Sequence, residues 1–283
     1  MTLPGLAVLG ESNENGETRV DPDYPGYNFN ISDQRRAKRF IAEFDRMLGS
    51  GTLPQFVYIY QPNDHTGTVQ APNIAQTGMT APQQVADGDI GLGMVVEHIM
   101  KSPIYYNPTT GEGSAIFMTY DDAQSTLDHI HPYRTPLIVI SPYAKAAYTA
   151  TKHYSTASIV KTEELLLGLP PNNLGDLFAT DLRDMFQPSY NGITADKIKV
   201  NLNIAYTPSP EGVKIWELTK KLDLSGPDRD SARLGAIARL SMAADSLRKE
   251  TAAKGKTRSR AYKKAQKKLY ETALEIANME VDD

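Results

Sequence analysis

Residues 114–156, SAIFMTYDDAQSTLDHIHPYRTPLIVISPYAKAAYTATKHYST, gather most of the side chains that could do chemistry. An apolar run ends on two adjacent carboxylates, Asp121 and Asp122. A polar loop with His129, His131 and Arg134 follows, then a second apolar run, and then His153. Neighbouring carboxylates repel, and a cation or a shared proton is the usual compensation. Upstream, the polar loop after QFVYIY adds Asp64 and His65. Oxygen and imidazole donors without thiolates suit calcium, magnesium, manganese or zinc, and the residue types alone do not choose among them. Such a cation could neutralise a phosphoryl oxygen, and Arg134 could add a bidentate phosphate contact. The plainer alternatives stay open. Asp121 and Asp122 could simply cap a turn, because Asp favours turns, and Arg134 could pair with Asp121 or Asp128.

Chains place such residues on loops at the ends of buried strands. The β-branched and aromatic run Gln55–Tyr60, Ala115–Thr119 and Pro136–Ile140 read as strands. Helices are expected at Ile31–Leu48, with Ser32 as N-cap and Gly49 and Gly51 as stop, at Gln83–Met100, and at Ser155–Leu167 before Gly168. Strands alternating with helices predict a largely parallel sheet covered on both faces. Ile198–Ile204 reads as a further short strand, and helices follow near 211–222, 228–250 and 258–279. The last of these has a basic face opposite Tyr262, Leu269 and Ala273 and reads as a solvated surface helix. His98, among apolar neighbours inside a helix, reads as structural. The organisation is thus an extended connecting segment at 1–30, an α/β part at 31–205 and a helical extension at 206–283.

Composition narrows the classes. The chain has 283 residues, a net charge of -4 and no cysteine, which excludes disulfides, thiolate metal sites and a cysteine nucleophile. That charge offers no overall attraction to nucleic acid, and no nucleic-acid partner is expected. The amino terminus lacks the basic and apolar regions of a signal peptide, and no run of about eighteen apolar residues suggests a transmembrane segment. GDIGLG at 88–93 follows no strand and lacks the GxGxxG order, so it is not read as a phosphate loop. No GxSxG elbow announces a Ser-His-Asp triad.

LPQFVYIYQPNDHTGT, ADGDIGLGMVVEHI, AIFMTYDDAQSTLDHIHPYRTPLIVISPYAK and KHYSTASIVKTEELLLGLPP, in that order, resemble the phosphoesterase family of the alkaline phosphatase superfamily over roughly residues 20–240. That family includes bacterial phospholipases C and related acid phosphatases. The resemblance is closest to bacterial members that join a β-propeller to a phosphoesterase domain. It implies a metal-dependent phosphoric ester hydrolase, active on phosphate esters, on an alkaline-phosphatase-like α/β sandwich. It assigns Asp121 and Asp122 to the metal, His65 and His153 to catalysis, and His129 to the loop after the acidic pair, where it joins Asp64 and Arg134, read from the residues, as a candidate substrate contact. It also suggests a periplasmic or secreted address for a full-length form.

The sequence departs from the pattern in two places. The family's acidic-Asn motif and its Ser or Thr nucleophile are not found in residues 1–55, and Tyr133 stands where a histidine is expected before Arg134. The expectation is therefore the carboxy-terminal part of such a domain, an incomplete sandwich inactive alone. The amino-terminal half would come from another polypeptide or a longer chain, and a degenerate, non-catalytic binding or structural remnant is the alternative.

Overall fold

The structure, a computed structural model, describes residues 20–26, 31–65, 79–121, 135–173, 175–197, 208–222, 231–257 and 259–279. Its elements are α1 (Asp33–Ser50), α2 (Ala81–Lys101), β1 (Ile116–Thr119), β2 (Leu137–Ile140), α3 (Thr156–Leu167), α4 (Pro210–Trp216), α5 (Ser231–Ala253) and α6 (Arg260–Asn278), with short 3₁₀ turns between them.

Helix α1 starts where the Ser32 hydroxyl accepts the Arg35 N–H at 3.1 Å, and it ends at Gly51, whose φ of 72° suits a residue without Cβ. Ala37, Phe40 and Phe44 recur at helical spacing and are buried. They meet Val95, Val96, Ile99 and Met100 of α2, and Tyr105 joins the same cluster. Each of these larger apolar side chains contributes roughly 1.5–3 kcal/mol by leaving water. His98 is structural, as expected. Its Nε2 lies 2.7 Å from Asp45 Oδ1, and its ring stands edge-on to Phe44 at 5.7 Å.

A second apolar cluster joins α4, α5 and α6 around Ile215, Trp216, Ile237, Ala244 and Ala273, and Ala81 at the head of α2 packs into it. Here the expected face of the last helix is the buried one, with Tyr262 and Ala273 inside and Leu269 partly covered. Gln266 completes it by donating to the Ala244 carbonyl at 2.9 Å.

The sheet differs from expectation. Among the described residues it comprises β1 and β2 alone, paired antiparallel with Ile116 opposite Ile140 and Thr119 opposite Leu137. The mixed helix-and-strand character agrees with an α/β reading, but a parallel sheet and a two-sided sandwich are not among the described elements. The reason is local. Parallel neighbours need a crossover, usually a helix, and the stretch that joins these two strands, residues 120–136, is mostly polar and holds Pro132 and Pro136. The expected strand 55–60 is irregular chain with no strand partner in the described sheet. Its Phe56, Val57 and Tyr58 are exposed, Tyr58 by 77%. Residues 198–204 lie outside the described part. No described helix is long and apolar enough to cross a membrane.

Candidate functional site

The run 55–61 leads into a 3₁₀ turn, Pro62–His65, which carries Asp64 and His65. What holds this turn is a buried polar interlock between α1 and α2. Asn63 is fully buried. Its backbone N–H donates to Asp33 Oδ2 at 3.0 Å, and its side-chain amide donates to Asp87 Oδ2 at 2.6 Å. The Asp87 carboxylate also accepts the Asp33 N–H at 2.6 Å and the Gln34 amide at 2.8 Å. One carboxylate of α2 thereby caps the first turn of α1 and grips the PNDH turn together, through hydrogen bonds from Asp33, Gln34 and Asn63.

Asp33 is also fully buried and pairs with the equally buried Arg36 guanidinium at 3.1 Å. Arg36 spends its remaining donors on backbone carbonyls of the preceding segment, Pro25 at 3.3 Å, Gly26 at 2.7 Å and Ile31. Residues 21–26 are thus fastened along α1, aided by the Arg39 contacts to Asp21. Burial pushes the Asp33 carboxyl up to about 6, with the Asp87 charge adding to the rise and the Asn63 N–H and Arg36 opposing it.

Gly88 and Gly91 make this approach physically available. A Cβ on Gly91 would stand 2.8 Å from the Asp33 carbonyl carbon and 3.0 Å from Gln61 Nε2, and one on Gly88 would stand 3.4 Å from Asp33 Oδ2. GDIGLG is therefore helix interior whose Gly91 admits a neighbouring backbone, in line with the sequence-based rejection of a phosphate loop.

Beyond the interlock, the ends of the turn and of β1 converge on two phenols. Tyr60 is pushed far above its usual range by burial first, and then by the charges of Asp121 and Asp64. Tyr120 is raised by burial and then by Asp64 and Asp89. Asp64 thus acts on both phenols, Asp121 on Tyr60 and Asp89 on Tyr120. Asp121 and Asp89 are exposed and Asp64 is half-buried. Carboxylate oxygens are the hard donors that divalent cations prefer.

His153 lies on another exposed loop, just before the Ser155 N-cap of α3. There Asp184 accepts from the Tyr154 hydroxyl, from the Tyr148 hydroxyl at 2.9 Å, and pairs with Lys152 at 3.9 Å. Among the described residues no group of three or more His, Asp or Glu side chains is arranged to hold a metal ion. Asp122, His129 and Arg134, and the side chain of His65, lie outside the described part.

The sequence reading overlooked Asp33, Asn63, Asp87 and Asp89. A signal was present. Three glycines inside one helix, Gly88, Gly91 and Gly93, each cost about 1 kcal/mol relative to alanine, and such residues mark close backbone approach. They flag α2 as a helix that a neighbour approaches closely, without naming Asp87 or its partners.

The sequence matches the family model described as Phosphoesterase family over residues 14–170, more than half of the chain. No curated protein and no solved structure matches the chain. The match spans α1, the PNDH turn, α2, both strands and α3. The chain belongs to the Phosphoesterase family, and its function is that of a phosphoric ester hydrolase-like protein.

Proposed function

We propose that this chain supplies the metal- and phosphate-contacting part of a metal-dependent phosphoric ester hydrolase, of the phosphatase or phospholipase C kind. The observation that supports this reading is the Phosphoesterase family match, which spans both Asp64, on the PNDH turn, and Asp121, just after β1. In this reading Asp121 and Asp122 hold a divalent cation, and Asp64, His129 and Arg134 contact the substrate. His65 and His153 exchange protons or contact the phosphoryl group. The carboxylates and imidazoles present fit calcium, magnesium, manganese or zinc by donor type. A bound divalent ion would supply neutralisation of charge on a phosphoryl oxygen.

The residues themselves orient the ester. The Asn63 interlock fixes the turn under Asp64. The covalent step needs a nucleophile in line with the leaving group. None is recognised at the family's position in residues 1–55, so the reading has it supplied from outside this chain, and the chain alone does not turn over.

The test is hydrolysis of 4-nitrophenyl phosphate and its bis-ester with each divalent ion, together with thermal unfolding. Metal bound only to the folded state raises the melting temperature, by about 2.7 kcal/mol of stability at one hundred times Kd. That rise should vanish in the Asp121→Asn, Asp122→Asn double variant. Turnover that persists in the double variant would sink the assignment.

One observation favours a second reading, a non-catalytic binding or structural role on the same scaffold. Exposed Phe56, Val57 and Tyr58 form an apolar segment beside the site, a surface suited to strand addition by another polypeptide. A cooperatively folding protein with no metal-dependent stabilisation would support it.

A further inference from the structure

The charge of the chain is strongly segregated. Residues 251–270 carry eight Lys or Arg and no Asp or Glu, so the rest holds a net -12 against -4 for the whole. Within this stretch Lys254 and Lys256 sit exposed at the turn from α5 to α6, and Arg260, Lys263, Lys264, Lys267 and Lys268 are exposed along α6. At 100° per residue these five fall within about 140° of arc, along roughly 12 Å of axis. Lys267 has a long ion pair at 3.4 Å to Glu271, at the rim of the patch. The opposite side of α6 is committed. Tyr262, Ala273 and Ala277 are buried against α5 and its neighbours.

We propose that this face docks the protein on an anionic lipid bilayer, by electrostatic adsorption without insertion. A solvated helix of a protein with balanced charge would intersperse carboxylates, and here none occurs over twenty residues. Because α6 holds its apolar side in the core, it cannot turn that side toward acyl chains. The interaction is therefore with headgroups. The chemistry of the patch separates a lipid surface from nucleic acid. Six of the seven exposed cations are lysines, hydrated point charges without the planar fork that reads phosphate or base edges. The aromatic residues in the stretch, Tyr262 and Tyr270, are buried or covered by Lys214 at 4.4 Å, so no ring is offered for base stacking. Between the lysines stand Ala252, Ala253, Gly255 and Ala261, small residues that let the ammonium groups reach a flat plane of mobile charge.

The proposal stands apart from the phosphoesterase reading and survives its failure. The full chain is sedimented with vesicles of phosphatidylcholine, with or without about one-third phosphatidylserine. It should pellet with the anionic vesicles only, and release near 0.5 M salt, where the Debye length has contracted to a few ångströms. Each lysine near the surface is worth roughly fivefold in binding. The variant K263Q/K264Q/K267Q/K268Q should therefore bind several-hundredfold more weakly while keeping its circular dichroism spectrum. K38Q/K101Q, on other helices, should bind as the parent does. Absence of binding to anionic vesicles at 50 mM salt overturns the proposal. So does binding unchanged in the quadruple variant, or tighter binding to duplex DNA or single-stranded RNA than to the vesicles at equal anionic charge.

Discussion

Replacing Asn63 with aspartate changes one atom of the buried interlock from donor to acceptor and gives a sharp prediction. The amide now sits 2.6 Å from Asp87 Oδ2. Two ionised carboxylates at that separation would repel by about 6 kcal/mol at an effective dielectric of 20. Taking up a proton costs less. Holding residue 63 neutral at pH 7 costs about 4 kcal/mol against an unfolded carboxyl near 3.9, and about 1.5 kcal/mol at pH 5. Once protonated, the new carboxyl can donate to Asp87 Oδ2 much as the amide did. Asn63→Asp should therefore unfold about 4 kcal/mol more easily than the parent at pH 7 and about 1.5 kcal/mol more easily at pH 5, read as urea midpoints by far-ultraviolet circular dichroism. Asn63→Ala removes a hydrogen bond to a charged group and should cost about 1.5–3 kcal/mol at both pH values. An Asn63→Asp deficit that is equal at the two pH values, or below 1 kcal/mol at pH 7, would refute the interlock as described.

Further expectations follow from the same geometry. Asp33 is raised from the ordinary 3.8 to about 6, so the folded state binds the extra proton. Its contribution is most favourable below pH 4 and is lost as pH rises to 6, by about 3 kcal/mol. Urea titrations across that window should show the slope in the parent and not in Asp33→Asn. Gly91→Ala drives a Cβ into the Asp33 backbone at 2.8 Å and should cost about 1–3 kcal/mol, while Gly49→Ala, with nothing within 4 Å, should be neutral or stabilising. Phe56→Ser with Tyr58→Ser should leave the melting temperature within about a degree, because both rings are exposed, and should reduce self-association in analytical centrifugation.

Much of the helical framework was legible in the sequence. Ser32, Ser155, Gly51 and Gly168 mark their helix ends by capping chemistry that is local and strong, and Phe40 and Phe44 declare their face by spacing. The two short strands were also placed to within a residue. Their direction was not, because pairing orientation depends on what joins the strands, and alternation of apolar residues carries no arrow. Gln55–Tyr60 has the composition of a strand, and composition reports fitness to pair, not the presence of a partner. Within the candidate site, Asp64 and Asp121 could be nominated as polar residues ending apolar runs. Asp33 and Asp87 could not, since they lie 54 positions apart and only the packing of α1 on α2 joins them.

Because the PNDH turn is gripped through the backbone and amide of Asn63, by one carboxylate from each of two helices, its geometry belongs to the packed pair α1 and α2. An engineer wishing to move Asp64 into another scaffold would have to transplant the two packed helices with their glycine notch, since the four-residue loop by itself carries no memory of its shape.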